Sequence, residues 1–99
     1  MIEGLFQIIQ TFKNKALERL LREGNAKGIP TELEKRTRAR LEVIDTAIII
    51  DDIRIPGYDL HELKGDRQGT WSIKVSGNWR ITFTFQDNNA YDIDLEDYH

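Results

Sequence analysis

The apolar pattern of this chain changes its period once, near Pro56-Gly57, and that change restricts it to a small set of folds. Upstream, apolar residues recur every three to four positions, the spacing of one helix face. Phe12, Ala16, Leu17, Leu20 and Leu21 share such a face, with Lys15, Arg19 and Arg22 on the other. The spacing predicts a helix over 12–23, stopped by Gly24 and Gly28, because glycine takes the left-handed conformation of a helix end at little cost. A second helix is announced by Ile29-Pro30-Thr31-Glu32-Leu33-Glu34, where Thr31 and Glu34 have the spacing of a capping box. Leu33, Thr37, Leu41 and Ile44 form its core stripe, leaving Lys35, Arg38 and Glu42 to water, and a short further turn is expected over 47–50.

Downstream, the period is two. Trp71, Ile73 and Val75 alternate with Ser72 and Lys74; Trp79, Ile81, Phe83 and Phe85 alternate with Arg80, Thr82 and Thr84; Tyr91, Ile93 and Leu95 alternate with acids. Ser76-Gly77-Asn78 and Asp87-Asn88-Asn89 are turn sequences between these runs, so this half reads as an antiparallel meander. Residues 58–63 are a candidate preceding strand, and 8–12 a candidate N-terminal one. Helices first and strands after give an α+β layer fold, with two N-terminal helices packed on one face of a small, mainly antiparallel sheet. At 99 residues there is room for one domain and one modest core. The alternation places Arg80, Thr82 and Thr84 on the sheet face that no helix covers. There, Arg80 is available to a ligand or to a cross-strand pair with Asp92 or Asp94; the residues alone leave both open.

Composition removes several chemistries. With no cysteine there is no disulfide framework, thiol nucleophile or thiolate metal site, and a reducing, cytoplasmic setting is expected. No apolar run has membrane-spanning length. The two histidines, His61 and His99, are too far apart for a short metal-ligand motif, so neither a metal nor another cofactor is expected. The net charge of −3 argues at first against a nucleic-acid partner, yet the charge is uneven. Residues 1–45 hold nine Lys and Arg against seven Asp and Glu; residues 46–99 hold five against ten. Between His61 and Arg80, Lys64, Arg67, Lys74 and Arg80 face only Glu62 and Asp66.

Lys64, Arg67 and Arg80, flanked by His61, Tyr98 and His99, are the residue types that metal-free RNA cleavage needs. One group takes the 2′-hydroxyl proton, cations hold the charge gathering on phosphorus, and another group protonates the leaving 5′-oxygen. Each also has an ordinary reading: His61 as a surface strand residue, residues 64–67 as a charged turn, and Tyr98-His99 as a frayed end.

Three strings carry a resemblance: Leu60-His61-Glu62-Leu63-Lys64-Gly65-Asp66-Arg67-Gln68-Gly69-Thr70-Trp71-Ser72-Ile73, then Asn78-Trp79-Arg80-Ile81-Thr82-Phe83, then Glu96-Asp97-Tyr98-His99. Together with Gly28-Ile29-Pro30 and Ile44-Asp45-Thr46-Ala47, the chain over about 8–99 resembles the HigB-type killer toxins of bacterial toxin–antitoxin modules, in the RelE superfamily. Residues 1–7 then stand as an extension ahead of a single RelE-like toxin domain. The resemblance implies a ribosome-dependent endoribonuclease that cuts mRNA in the decoding site. It also implies restraint by a HigA-type helix-turn-helix antitoxin, with operator DNA met only through that complex. It places His61, Lys64, Arg80, Asp97, Tyr98 and His99 in the catalytic cleft, and Lys64, Arg67, Lys74, Arg80 and Tyr98 against RNA. Arg80 and Lys64 would hold the scissile phosphate, His99 and His61 would handle protons, Tyr98 would position a nucleotide, and Asp97 would orient a neighbour. Superfamily members tend to be basic and this chain is acidic, so it should hold free RNA poorly and rely on the ribosome to present substrate. The alternatives are an antitoxin-binding co-repressor with weak or lost nuclease activity, and a plain interaction domain.

Overall fold

A computed structural model describes residues 7–98 and has the expected α+β layers. Helix α1 (Lys15–Glu23) and helix α2 (Glu34–Thr46) precede strands β1 (His61–Glu62), β2 (Thr70–Ser76), β3 (Trp79–Gln86) and β4 (Asn89–Asp97). The strands form one antiparallel sheet in sequence order, a simple meander. Leu17 and Leu20 of α1, Leu41 and Ile44 of α2, and Ile73, Val75, Ile81, Phe83 and Ile93 of the sheet bury into one cluster. Both helices therefore sit on one sheet face. Ile81 and Phe83 lie at its centre, whereas Trp79 and Phe85, expected beside them, are only half-buried at its margin. Among the described residues no helix is long and apolar enough to cross a membrane.

Several local expectations shift for identifiable reasons. Helix α1 starts at Lys15, not Phe12, because the Asn14 side chain caps it by accepting the Ala16 N–H at 2.9 Å. Its end is as expected: Gly24 is left-handed at φ +70° and donates to the Leu20 carbonyl. The Thr31–Glu34 capping box does not form. A 3₁₀ turn, Thr31–Leu33, leads into α2, and no side-chain cap bonds either start. The turn expected at 47–50 lies at Ile50–Ile53, where the Asp52 carboxylate accepts the N–H groups of Ile48 and Ile49.

The N-terminal strand expected at 8–12 is instead a line of parallel bridges to the outer edge of β4, Ile9 to Ala90 and Phe12 to Ile93. Its backbone nevertheless bonds that edge: Gln10 and Lys13 donate to Ala90 and Ile93 at 2.8 and 2.9 Å. The ladder is interrupted where Asp92 turns left-handed at φ +57° and gives its N–H to the Thr11 hydroxyl. The register between β3 and β4 shifts at the same point, so Tyr91 stands opposite Thr84 and Ala90 opposite Phe85. Ala90 thereby enters the core, and Tyr91 leaves the face that simple alternation gives it. The turn Asp87-Asn88 has both residues at positive φ, as a two-residue hairpin between β3 and β4 requires. The strand expected over 58–63 shrinks to His61–Glu62.

Candidate active site

The sheet face away from the helices carries two rows of side chains. Register aligns His61, Ser72, Thr82 and Asp94 in one row, and Lys74, Arg80 and Glu96 in the next. Ser72 and Thr82 are buried although no helix lies over them, because charged side chains of the same face fold across them.

Arg80 is the centre of the first of these arrangements. Only 11% of its side chain is exposed. Its Nε donates to the Ser72 hydroxyl, its Nη2 donates to the Asp59 carbonyl at 2.7 Å, and its Nη1 lies 3.3 Å from the Asp59 carboxylate. The His61 ring lies alongside, with Nδ1 3.4 Å from Arg80 Nη2 and 3.0 Å from the Asp59 carbonyl. The cross-strand pairing of Arg80 with Asp92 or Asp94 does not occur; its carboxylate partner is Asp59. A guanidinium fixed in this way beside an exposed imidazole sets a planar fork of N–H donors, of the kind that suits phosphate oxygens, next to a ring that can accept or donate a proton.

Arg67 is the centre of the second arrangement. It forms a two-pronged ion pair with Glu96, Nη2 to Oε2 at 2.6 Å and Nη1 to Oε1 at 2.9 Å, and Nη1 also donates to the Tyr98 hydroxyl at 3.3 Å. The Thr82 hydroxyl donates to the same carboxylate at 2.5 Å. This ties the turn Gly65–Arg67 to the end of β4 and positions Tyr98, whose own N–H donates to the Asn78 carbonyl. Arg67 thus faces a carboxylate before it faces any phosphate. Its hydrogen bond with Glu96 raises the Arg67 pKa and, together with the Thr82 hydroxyl, lowers that of Glu96.

The sign for stability follows. Because the folded pKa of Glu96 lies below its ordinary value of 4.5, its contribution is present above that value and is lost as pH falls through the folded one. Glu96→Gln should therefore flatten the acid limb of the stability curve, read as the urea midpoint between about pH 6 and pH 3. An unchanged acid limb would show that the clamp contributes nothing.

The remaining sequence candidates are more dispersed. Lys64 is exposed at the entry to the Gly65–Arg67 turn, and Lys74 is exposed opposite Arg80; neither has an ion-pair partner among the described residues. Asp97 is exposed at the end of β4 opposite Trp79. His99 and residues 1–6 lie outside the described residues. A cleft of about 360 Å³ opens on the same face, lined by Lys13 and Arg67 and by the carboxylates of Asp92, Asp94 and Glu96, the last already paired with Arg67. Its three carboxylates outnumber its two cations, which disfavours an anion there. Among the described residues no group of three or more metal-ligating side chains gathers. Sequence reasoning missed Asp59, Ser72 and Glu96. The last two stand opposite His61 and Arg80, and alternation puts Ser72 on the open face, but the register shift at Asp92 hides Glu96, since counting outward from the Asp87-Asn88 turn sets Leu95 across from Arg80. Asp59 carries no such signal.

Known proteins resemble this chain over nearly its whole length. A family model described as the RelE-like toxin of the type II toxin–antitoxin system HigB matches residues 10–99. Endoribonuclease HigB of Proteus vulgaris is 47% identical over 92 residues, covering 93% of this chain and all of the relative. Toxin HigB-1 of Vibrio cholerae serotype O1 is 32% identical over 87 residues, covering 86% of this chain and 92% of the relative. The match runs through both helices and every strand of the sheet, and with it the chain belongs to the HigB-like family of RelE-like toxins, whose type II systems pair a toxin with an antitoxin.

Proposed function

We propose that this chain is an endoribonuclease toxin that cleaves mRNA presented by the ribosome and so arrests translation. The observation that carries the reading is the nearly buried Arg80 guanidinium, held beside His61 on the uncovered sheet face. The name of the Proteus vulgaris relative, an endoribonuclease, supports the same activity.

In the reaction, the 2′-oxygen bonds to phosphorus and the bond from phosphorus to the 5′-oxygen breaks, leaving a 2′,3′-cyclic phosphate and a free 5′-hydroxyl. His61 and His99 divide the proton transfers, one accepting from the 2′-hydroxyl and the other giving to the 5′-oxygen, with no metal in either role. Arg80, joined by Lys64, holds the phosphate as charge builds on its oxygens. Tyr98 positions a nucleotide and Asp97 orients a neighbouring group. Arg67 and Lys74 contribute to the backbone contact. Arg80 and Arg67 both face carboxylates in the free protein, and the chain is acidic overall, so naked RNA is a weak ligand. The ribosome supplies the local concentration that charge does not. A HigA-type antitoxin restrains the toxin in the cytoplasm, and operator DNA is reached only through that complex.

The test is cleavage of a defined mRNA with and without ribosomes. Cleavage is expected with ribosomes and is expected to be weak without them. Removing His99 should abolish it while leaving the folded spectrum unchanged. A folded chain that cuts RNA in neither condition would be an antitoxin-binding protein instead, and a fully active chain lacking His99 would remove that residue from the mechanism.

A further inference from the structure

Asp59 lies just before the short edge strand. Regular continuation of the β1–β2 ladder would set Asp59 opposite Lys74, as His61 is set opposite Ser72. Instead, the Lys74 N–H bonds the Tyr58 carbonyl at 2.6 Å, and Asp59 takes a left-handed backbone at φ +50°. A non-glycine residue there is unusual, and Asp is among the few that tolerate it. The slip of one residue frees the Asp59 carbonyl from the sheet.

That carbonyl then serves two side chains. It accepts from Arg80 Nη2 at 2.7 Å and lies 3.0 Å from His61 Nδ1. A carbonyl oxygen only accepts, so this contact requires the proton of neutral His61 to sit on Nδ1, which makes Nε2 the basic nitrogen. The opposite arrangement, with Arg80 Nη2 donating to a bare Nδ1, has the longer contact of 3.4 Å. The Asp59 carboxylate adds less to His61: its Oδ2 is 4.0 Å from Nδ1, and the side chain is 67% exposed.

We propose that Asp59 is a positioning residue of the cleavage site, whose left-handed backbone turns its carbonyl onto His61 Nδ1 and Arg80 Nη2 and so selects His61 Nε2 as the nitrogen that exchanges a proton with RNA. The proposal rests on the nuclease reading for its catalytic consequence, but the tautomer is measurable without RNA.

The experiment is ¹⁵N NMR of the imidazoles in the full chain, at a pH where His61 is neutral. The native chain should show His61 as the Nδ1–H form. Asp59→Asn and Asp59→Gly tolerate the left-handed backbone and should retain it. Asp59→Val and Asp59→Thr are β-branched and resist that backbone, so they should move His61 toward the Nε2–H form. Ribosome-supported cleavage should fall about tenfold in the β-branched pair, and Asp59→Gly should recover most of that loss. An Nε2–H form in the native chain overturns the proposal whatever the variants do. So does a folded Asp59→Val or Asp59→Thr chain that loses cleavage with its tautomer unchanged. If the tautomer behaves as expected but the native chain cuts no RNA, the geometry stands and the nuclease reading falls.

Discussion

Arg80→Lys is expected to slow cleavage of ribosome-presented mRNA by at least about 100-fold while leaving the protein folded. The expectation comes from the shape of the group rather than its charge. Arginine offers a planar fork of five N–H donors, and Arg80 uses part of it to stay in place, through the Ser72 hydroxyl and the Asp59 carbonyl. Lysine keeps the charge but cannot hold those two anchors and still offer a paired face to phosphate oxygens. The anchors also carry stability. Arg80→Ala leaves the fully buried Ser72 hydroxyl without its partner and should cost about 1–2 kcal/mol as well as activity. Comparing the two substitutions separates the roles, with single-turnover cleavage reporting the reaction and thermal unfolding reporting the anchor. An Arg80→Lys chain that cuts within tenfold of the native rate would remove the fork from the mechanism.

The second large effect lies on the opposite side of the molecule. Asp45, near the end of α2, accepts the Ile9 N–H at 3.0 Å and pairs with Arg22 at 2.9 Å, while Arg22 reaches the Ile9 carbonyl and covers the Phe12 ring. One carboxylate therefore fastens the N-terminal segment, α1 and α2 together. Asp45→Ala leaves a buried N–H and a half-covered guanidinium without their partner, and should cost about 2–3 kcal/mol. In a chain of this size that lowers the melting temperature by roughly 10–20 °C. The amides of Gln10 and Lys13, which bond the edge of β4, should then exchange faster than those of β2 and β3. A loss below about 0.5 kcal/mol would show that apolar packing alone holds the segment.

Much of this architecture is legible in residue spacing. The switch from helical period to alternation separates the two layers, and the alternation of Trp79 to Phe85 assigns Arg80 to the uncovered face. What spacing cannot carry is any position where the backbone leaves its regular path. At Asp92, one left-handed residue moves Tyr91 and Ala90 to opposite faces, and nothing in the acidic alternation around it marks the break. At Asp59, another frees the carbonyl that Arg80 uses. The cations were visible as a cluster, but their partners were not: Glu96 reads as part of an acidic tail until register sets it across from Arg80 and its side chain meets Arg67. Thr31 shows the reverse case. Its capping-box spacing is present, but the chain enters α2 through a 3₁₀ turn that uses backbone bonds instead.

The line of bonds between residues 8–14 and the outer edge of β4 bears on the order in which the chain is made. Residues 8–14 dock on β4, the described strand farthest from them in sequence. Until residues 89–97 have emerged, Gln10 and Lys13 have no edge to bond, and Arg67 and Thr82 have no carboxylate to share. The docking of the N-terminal segment and the Arg67 clamp are thus late contacts of the fold, completed only when β4 is in place.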